Sequence, residues 1–546
     1  MFPPTLLVAA LCAANTVVAY PNLKRADKPT ATIDSGVVVG TTTSLPDSDI
    51  VVDQFLGIPF AEKPVRFSPP VPAKGWNESW DKPYDASKFK PACIQKFNYP
   101  EKARNQSIKA FNTPGPPAGT SEDCLNINVF TPSGAKPSSK PVLFWIFGGS
   151  FSNGAGSLPL YDGSRFAGYE DLVVVTFNYR TNIFGFPETL ELPKGKQNLG
   201  LLDQRLALDW VQRNIKTFGG DPKKITIMGE SAGAGSVDAL LTAPPDPVPF
   251  RAAIMHSGSA GTRLEPSGSW ENATEKAGCD KGDFDEVLKC MRDLPATKLK
   301  EIVEKAALDF APIGDDGITL ANYPRKVRLD SKDNSKAMAR VPVLIGTTAD
   351  EARLESFKDI SLEDALRYYR PEITPLEIKL IQIMYPIGAP GIQNEYDQIA
   401  TLLTEALAQC PAKFTTEEFN DVGIKTWRFI YNASFENTEI FEGSGAYHSS
   451  ELYTIFGTYP EKESTEFQKE LTREMQNAWA RFVKDPSGGP GWDTVPKLAV
   501  FGDGVRPDSK EGGDKALEVK DSDDVDKRCR HLKGVWESTN PKGKDS

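Results

Sequence analysis

Gly229-Glu230-Ser231-Ala232-Gly233 holds one serine between glycines at its minus-two and plus-two positions. The apolar run Ile225-Thr226-Ile227-Met228 precedes it, and a helix-like segment follows. This order predicts a strand, a sharp turn and a helix. The serine stands at the apex in strained backbone angles, and bulky neighbours two residues away would clash. Its hydroxyl is lifted clear of the sheet, near a helix N-terminus that favours negative charge. The chemistry is nucleophilic attack on a carbonyl. An ordinary glycine-rich turn fits the same five residues, so the rest of the chain must supply a base, an acid and an oxyanion hole.

The choice of base is narrow, because the chain has three histidines. His448 lies in the Gly/Ser-rich loop "GSGAYHSSELYTIFG" and is the favoured base. His256 ends the strand-like "FRAAIMH" and reads as a packed or supporting residue, while His531 sits in the charged tail. Asp350 and Glu351 follow the apolar run "VPVLIGTT", where the carboxylate that orients an imidazole belongs. The order Ser231, Glu351, His448 is the one expected of α/β-hydrolases, and His256 would violate it. Backbone N–H groups of Ala232, Gly149 and Ser150 are the oxyanion candidates, the last two from "FGGSF" at the end of "VLFWI". Glu230 reads equally well as an electrostatic tuner and as a structural hydrogen-bond acceptor.

These residues need a frame. "KPVLFWIFGG" (140–149) and "DLVVVTFNYR" (171–180) are continuous apolar runs, as in strands buried on both faces of a largely parallel sheet. "LGLLDQRLALDWVQRNI" (199–215) has helical spacing, and further strands are expected near 36–61, 250–258 and 340–353. Alternating strands and helices predict an α/β class with a doubly wound core. The segments 262–310 and 355–420 read as helical insertions, and the tail after 505 as charged and irregular, tied down at Cys529.

Composition bounds the partners. The chain of 546 residues has a formal net charge of −11 and no basic run, which argues against nucleic acid or anionic membrane. Residues 1–19 read as a signal peptide with Val17 and Ala19 at the cleavage positions, and 20–25, ending in Lys24-Arg25, as a propeptide. That leaves 26–546 as one domain. No later apolar run approaches the ~18 residues of a membrane span. Beyond Cys12, six cysteines remain: Cys93, Cys124, Cys279, Cys290, Cys410 and Cys529. Their even number favours disulfides over metal, with the pairing open. No metal site is expected. Sequons stand at Asn77, Asn105, Asn272 and Asn432, as in a secreted glycoprotein.

The ordered set "SEDCLNINVF" (121–130), "WIFGGSF" (145–151), "NLGLLDQRLALDWVQRNIKTFGGDPKKITIMGESAGAGS" (198–236), "AIMHSGS" (253–259), "GTTADEAR" (346–353) and "GAYHSSELYTIFG" (445–457) resembles the type-B carboxylesterase/lipase family, which includes cholinesterases and fungal lipases. The resemblance implies an α/β-hydrolase fold with a large, mostly parallel sheet, flanking helices and helical insertions. It implies Ser231 as nucleophile, Glu351 as acid and His448 as base, with oxyanion donors at Gly149, Ser150 and Ala232. Cofactors are not needed. It also implies disulfides Cys93–Cys124, Cys279–Cys290 and Cys410–Cys529. Three positions depart from the family pattern. Ser150 stands where a third glycine is frequent, Ala352 follows the acid where glycine is usual and leaves Asp350 in contention, and His256 replaces a common glutamine.

The Cys93–Cys124 segment is the expected gorge-rim or lid loop. Its Phe97, Tyr99, Ile108 and Phe111 form only a modest apolar face, and it has no tryptophan to hold choline. The expected activity is a secreted, extracellular serine carboxylesterase acting through an acyl-enzyme on a small-molecule or lipid ester. The alternatives are a lipase or sterol esterase for long-chain esters, and a catalytically silent binding or adhesion protein. A peptidase is disfavoured.

Overall fold

The computed structural model describes residues 28–46, 48–75, 82–261, 263–333, 337–507 and 513–543. The leader, the dibasic segment and the Asn77 sequon lie outside the described residues. In chain order the strands are β1 (Thr30–Ile33), β2 (Gly36–Val39), β3 (Thr41–Ser44), β4 (Val51–Pro59), β5 (Tyr84–Asp85), β6 (Asn126–Pro132) and β7 (Lys140–Ile146). There follow β8 (Val173–Phe177), β9 (Gly220–Glu230), β10 (Ala252–His256), β11 (Val343–Thr348), β12 (Thr426–Tyr431), β13 (Lys497–Phe501) and β14 (Leu517–Asp521). A small sheet joins β1, β2 and β5; the large one has eleven strands in the order β14-β13-β12-β11-β10-β9-β7-β8-β6-β4-β3.

The stretch from β8 through β7 and β9 to β13 is parallel, and antiparallel pairs close both edges. Every residue of β8, β10, β11 and β12 is buried. That is why the run holding β8 reads as continuously apolar rather than as alternating. Crossover helices cover them. The helix Leu199–Asn214 buries Trp210, and Glu466–Lys484 buries Trp479. The layout is an α/β-hydrolase fold.

Register decides what meets what. His256 of β10 is level with Glu230 of β9 and with Gly346 of β11. The C-terminal ends of these three adjacent strands therefore carry Ser231, Ser257 and Glu351 onto one edge, where ligands bind in open α/β sheets.

Both insertions are helical. The first contains the helices Ser269–Ala277, Phe284–Asp293 and Ala296–Lys305, and the second runs from Leu362–Tyr369 to Cys410–Asp421. The tail is more ordered than its charge implies: β14 extends the sheet edge, and the helix Cys529–Thr539 buries Trp536 against Phe414. Two apolar side chains and a disulfide suffice to dock a helix whose other faces are polar. Disulfides join Cys93–Cys124, Cys279–Cys290 and Cys410–Cys529, as the resemblance implied. The last spans 119 residues, a loop whose closure destabilises the unfolded chain by about 4–5 kcal/mol in the chain-entropy model.

Candidate active site

Ser231 has φ 56° and ψ −122° and precedes the helix Ala232–Thr242. A non-glycine residue held there is strained by about 1–3 kcal/mol and persists only where its surroundings enforce it. The enforcement is visible. The Ser231 N–H donates to the His256 carbonyl at 2.8 Å. A Cβ at Gly233 would lie 2.0 Å from the Ile146 carbonyl oxygen, and one at Gly229 would lie 2.4 Å from the Gly233 backbone. The two glycines are thus required by backbone passing backbone.

His448 lies in the loop between β12 and the helix Glu451–Phe456. Its Nδ1 is 2.6 Å from Glu351 Oε2. The other oxygen of Glu351 accepts from the Thr348 N–H at 2.8 Å and from the Ser257 hydroxyl at 2.5 Å. Burial works against the ionised Glu351, but His448, Ser257 and Thr348 outweigh it and hold its carboxyl below the usual range. Asp350, the competing acid, is used elsewhere. It accepts from the Ala446 N–H and from Arg506, each at 2.9 Å, and ties the loop carrying His448 to the loop carrying Glu351.

The remaining nitrogen of His448, Nε2, lies 3.1 Å from Glu230 Oε1, while Ser231 Oγ makes no hydrogen bond to a described residue. Burial would depress the imidazole, yet the carboxylates of Glu230 and Glu351 dominate and raise it. Glu230 itself is pushed up to about 7 by burial, against the pull of His448. Behind this couple lies a second one. His256 Nε2 accepts from the Trp479 indole at 2.9 Å, so its Nδ1 carries the proton toward Glu451 Oε1 at 3.1 Å. Burial lowers the His256 imidazole to about 3 and raises Glu451 to about 8. His256 is a neutral, fully buried wedge between the sheet and Trp479. His531 is exposed beside Arg530.

Gly149, Ser150 and Phe151 have φ of 106°, 53° and 55° in succession. Ser150 keeps to the left-handed region that an L-residue can enter at modest cost, which explains a serine in place of glycine. The N–H groups of Gly149, Ser150 and Ala232 donate to no other described residue. Gly149 and Ser150 share a cavity of about 170 Å³ with Ser231, His448, Tyr161 and Tyr453. Ser107, Ala110 and Phe111 of the helix Glu101–Phe111 form its roof. A larger groove, about 880 Å³ between Thr242 and Met338, is lined by neither serine nor histidine.

The roof helix was not expected inside the Cys93–Cys124 loop, because its face has few apolar repeats. Its Glu, Lys, Ala, Arg and Gln residues carry intrinsic helix propensity instead. Polar contacts hold it: Lys109 Nζ donates to the Ile440 carbonyl at 2.7 Å, Gln106 to Glu355 at 2.8 Å, and Arg104 pairs with Glu304 at 2.9 Å. Ser257, Ser449 and Glu451 escaped sequence reasoning. Ser257 lies inside a quoted motif, but its contact with Glu351 depends on the β10–β11 register. Among the described residues no group of His, Cys, Asp or Glu has the arrangement of a metal site.

The model of the carboxylesterase family matches residues 27–499. Secreted lipase 5 of Gibberella zeae is 32% identical over 81% of this chain and 83% of its own. Acetylcholinesterase of Electrophorus electricus is 40% identical over 83% of this chain and 79% of its own. Para-nitrobenzyl esterase of Bacillus subtilis is 32% identical over 85% and 91%. A match of this length, over a sheet whose strand ends gather a serine, a glutamate and a histidine, establishes that the chain belongs to the carboxylesterase family and is a serine hydrolase of carboxylic esters.

Proposed function

We propose that the chain is an exported carboxylesterase for small esters, with Ser231 as nucleophile, His448 as base and Glu351 as its orienting acid. The observation that carries this reading is the 2.6 Å contact of His448 Nδ1 with Glu351, on an imidazole that shares one small cavity with the strained Ser231. Ser231 Oγ attacks the ester carbonyl as His448 Nε2, released from Glu230, takes its proton. The N–H groups of Gly149, Ser150 and Ala232 receive the oxyanion. His448 then protonates the leaving alcohol, and the acyl group stays on Ser231 until water, deprotonated by the same nitrogen, displaces it.

The cavity volume supports small substrates, since sites for drug-sized ligands occupy about 300–1,000 Å³. The roof agrees, because a helix held by Lys109, Gln106 and Arg104 resists peeling back onto an oil surface. For p-nitrophenyl esters from acetyl to palmitoyl, kcat/KM is expected to fall steadily with acyl length. A rise toward palmitoyl, above the solubility limit, would establish the lipase reading instead.

Export is supported by the three disulfides and by a relative named as a secreted lipase. Among the described residues no helix is long and apolar enough to cross a membrane. Asn105 and Asn272 are exposed, whereas Asn432 is half-buried with its oxygen held by Arg506. Glycans are therefore expected at Asn105 and Asn272. Peptide mass spectrometry after N-glycosidase treatment of protein from a eukaryotic host checks this, and both sites unmodified would contradict it.

A further inference from the structure

Ser449 directly follows the proposed base and has φ 75°, a left-handed conformation that serine seldom adopts. Such outliers gather where geometry serves function. Here the turned backbone aims the Ser449 hydroxyl at Glu230, with Oγ donating to Oε1 at 2.6 Å. The same Oε1 is 3.1 Å from His448 Nε2, and Nδ1 of that ring is held by Glu351. One imidazole is gripped at both nitrogens, and Nε2 is the one that must take the Ser231 proton. We propose that Ser449 is a positioning residue whose hydroxyl latches Glu230 onto His448 Nε2, so that the resting enzyme keeps its base on a carboxylate rather than on Ser231 until substrate enters. The proposal rests on the reading of His448 as base and adds a resting-state control to it.

The sign of the effect follows from the groups around the pair. His448 is faced by Glu351 from the turn after β11, by Glu230 from the end of β9, and by Glu451 from the helix Glu451–Phe456. Glu230 is also faced by Tyr161, Tyr179 and His256. The Ser449 hydrogen bond favours ionised Glu230, and ionised Glu230 favours the imidazolium. Removing the hydroxyl makes Glu230 easier to protonate and makes His448 lose its proton at lower pH.

Two variants separate hydroxyl from backbone: Ser449→Ala keeps the Cβ and its strain, and Ser449→Gly removes both. The chain has three histidines, so the His448 Cε1–H signal can be titrated by NMR and assigned with His448→Gln. In both Ser449 variants its midpoint is expected to fall by about half to one pH unit, and the acid limb of kcat/KM to move with it. A midpoint unmoved in both overturns the latch. A midpoint that falls in the glycine variant alone assigns the effect to the backbone and overturns it as well. If the midpoint falls while the acid limb stays, the latch stands and His448 is not the base.

Discussion

Ser231→Ala is expected to lower kcat toward p-nitrophenyl acetate by about 10⁴- to 10⁶-fold, with the thermal midpoint little changed. Alanine tolerates the turn about as well as serine does, because what the turn requires is room at Gly229 and Gly233. The loss is therefore chemical. His448→Ala should cost nearly as much, and the double variant scarcely more, because a nucleophile and its base act as a unit. A residual rate over water is expected from the N–H groups of Gly149, Ser150 and Ala232, the proposed oxyanion donors. Stopped-flow acylation and steady-state kinetics on the three variants check this. A Ser231→Ala protein with even a tenth of wild-type kcat would refute the nucleophile.

Glu351→Gln carries the second large effect, a fall in kcat of about 10⁴-fold. The reason lies in the hydrogen bonds of the two carboxylate oxygens. Oε1 receives the Thr348 N–H and the Ser257 hydroxyl, so an amide must turn its oxygen to that side. Its NH₂ then faces His448 Nδ1, which becomes an acceptor. The proton moves to Nε2, and the base can no longer accept from Ser231. Loss of the Glu351 charge also lowers the His448 imidazole, so the residual activity should hold to lower pH than in the wild type. Asp350→Asn is the control. Asp350 contacts Ala446 and Arg506 rather than the imidazole, and its variant should keep most of kcat while loosening the loop. Equal losses in the two variants would mean that the orienting carboxylate has been misassigned.

Much of the frame was legible from residues alone. The runs "VLFWI" and "VVVTF" are strands because a parallel strand covered on both faces needs apolar side chains throughout, and no helix face demands that. The roof helix was not legible, and of the docked tail only the tie at Cys529 was, not its strand or its helix. Their apolar contacts are few, and what holds them comes from elsewhere in the chain: Ile440, Glu355 and Glu304 for the roof, Cys410 and Phe414 for the tail.

The turn at Ser231 is written in five consecutive residues, since two glycines at fixed spacing answer a clash within them, and the fold class is written in the hydrophobic runs, which report burial strand by strand. Only the assembled chain separates Asp350 from Glu351, neighbours in sequence that face different partners: Glu351 faces His448, and Asp350 faces Ala446 and Arg506. Only it showed that Glu230 and Ser449, 219 residues apart, meet at His448. Local sterics depend on residues i±2 and are written in order along the chain. Which carboxylate meets which imidazole depends on the register of β9, β10 and β11, and register is a property of the assembled sheet.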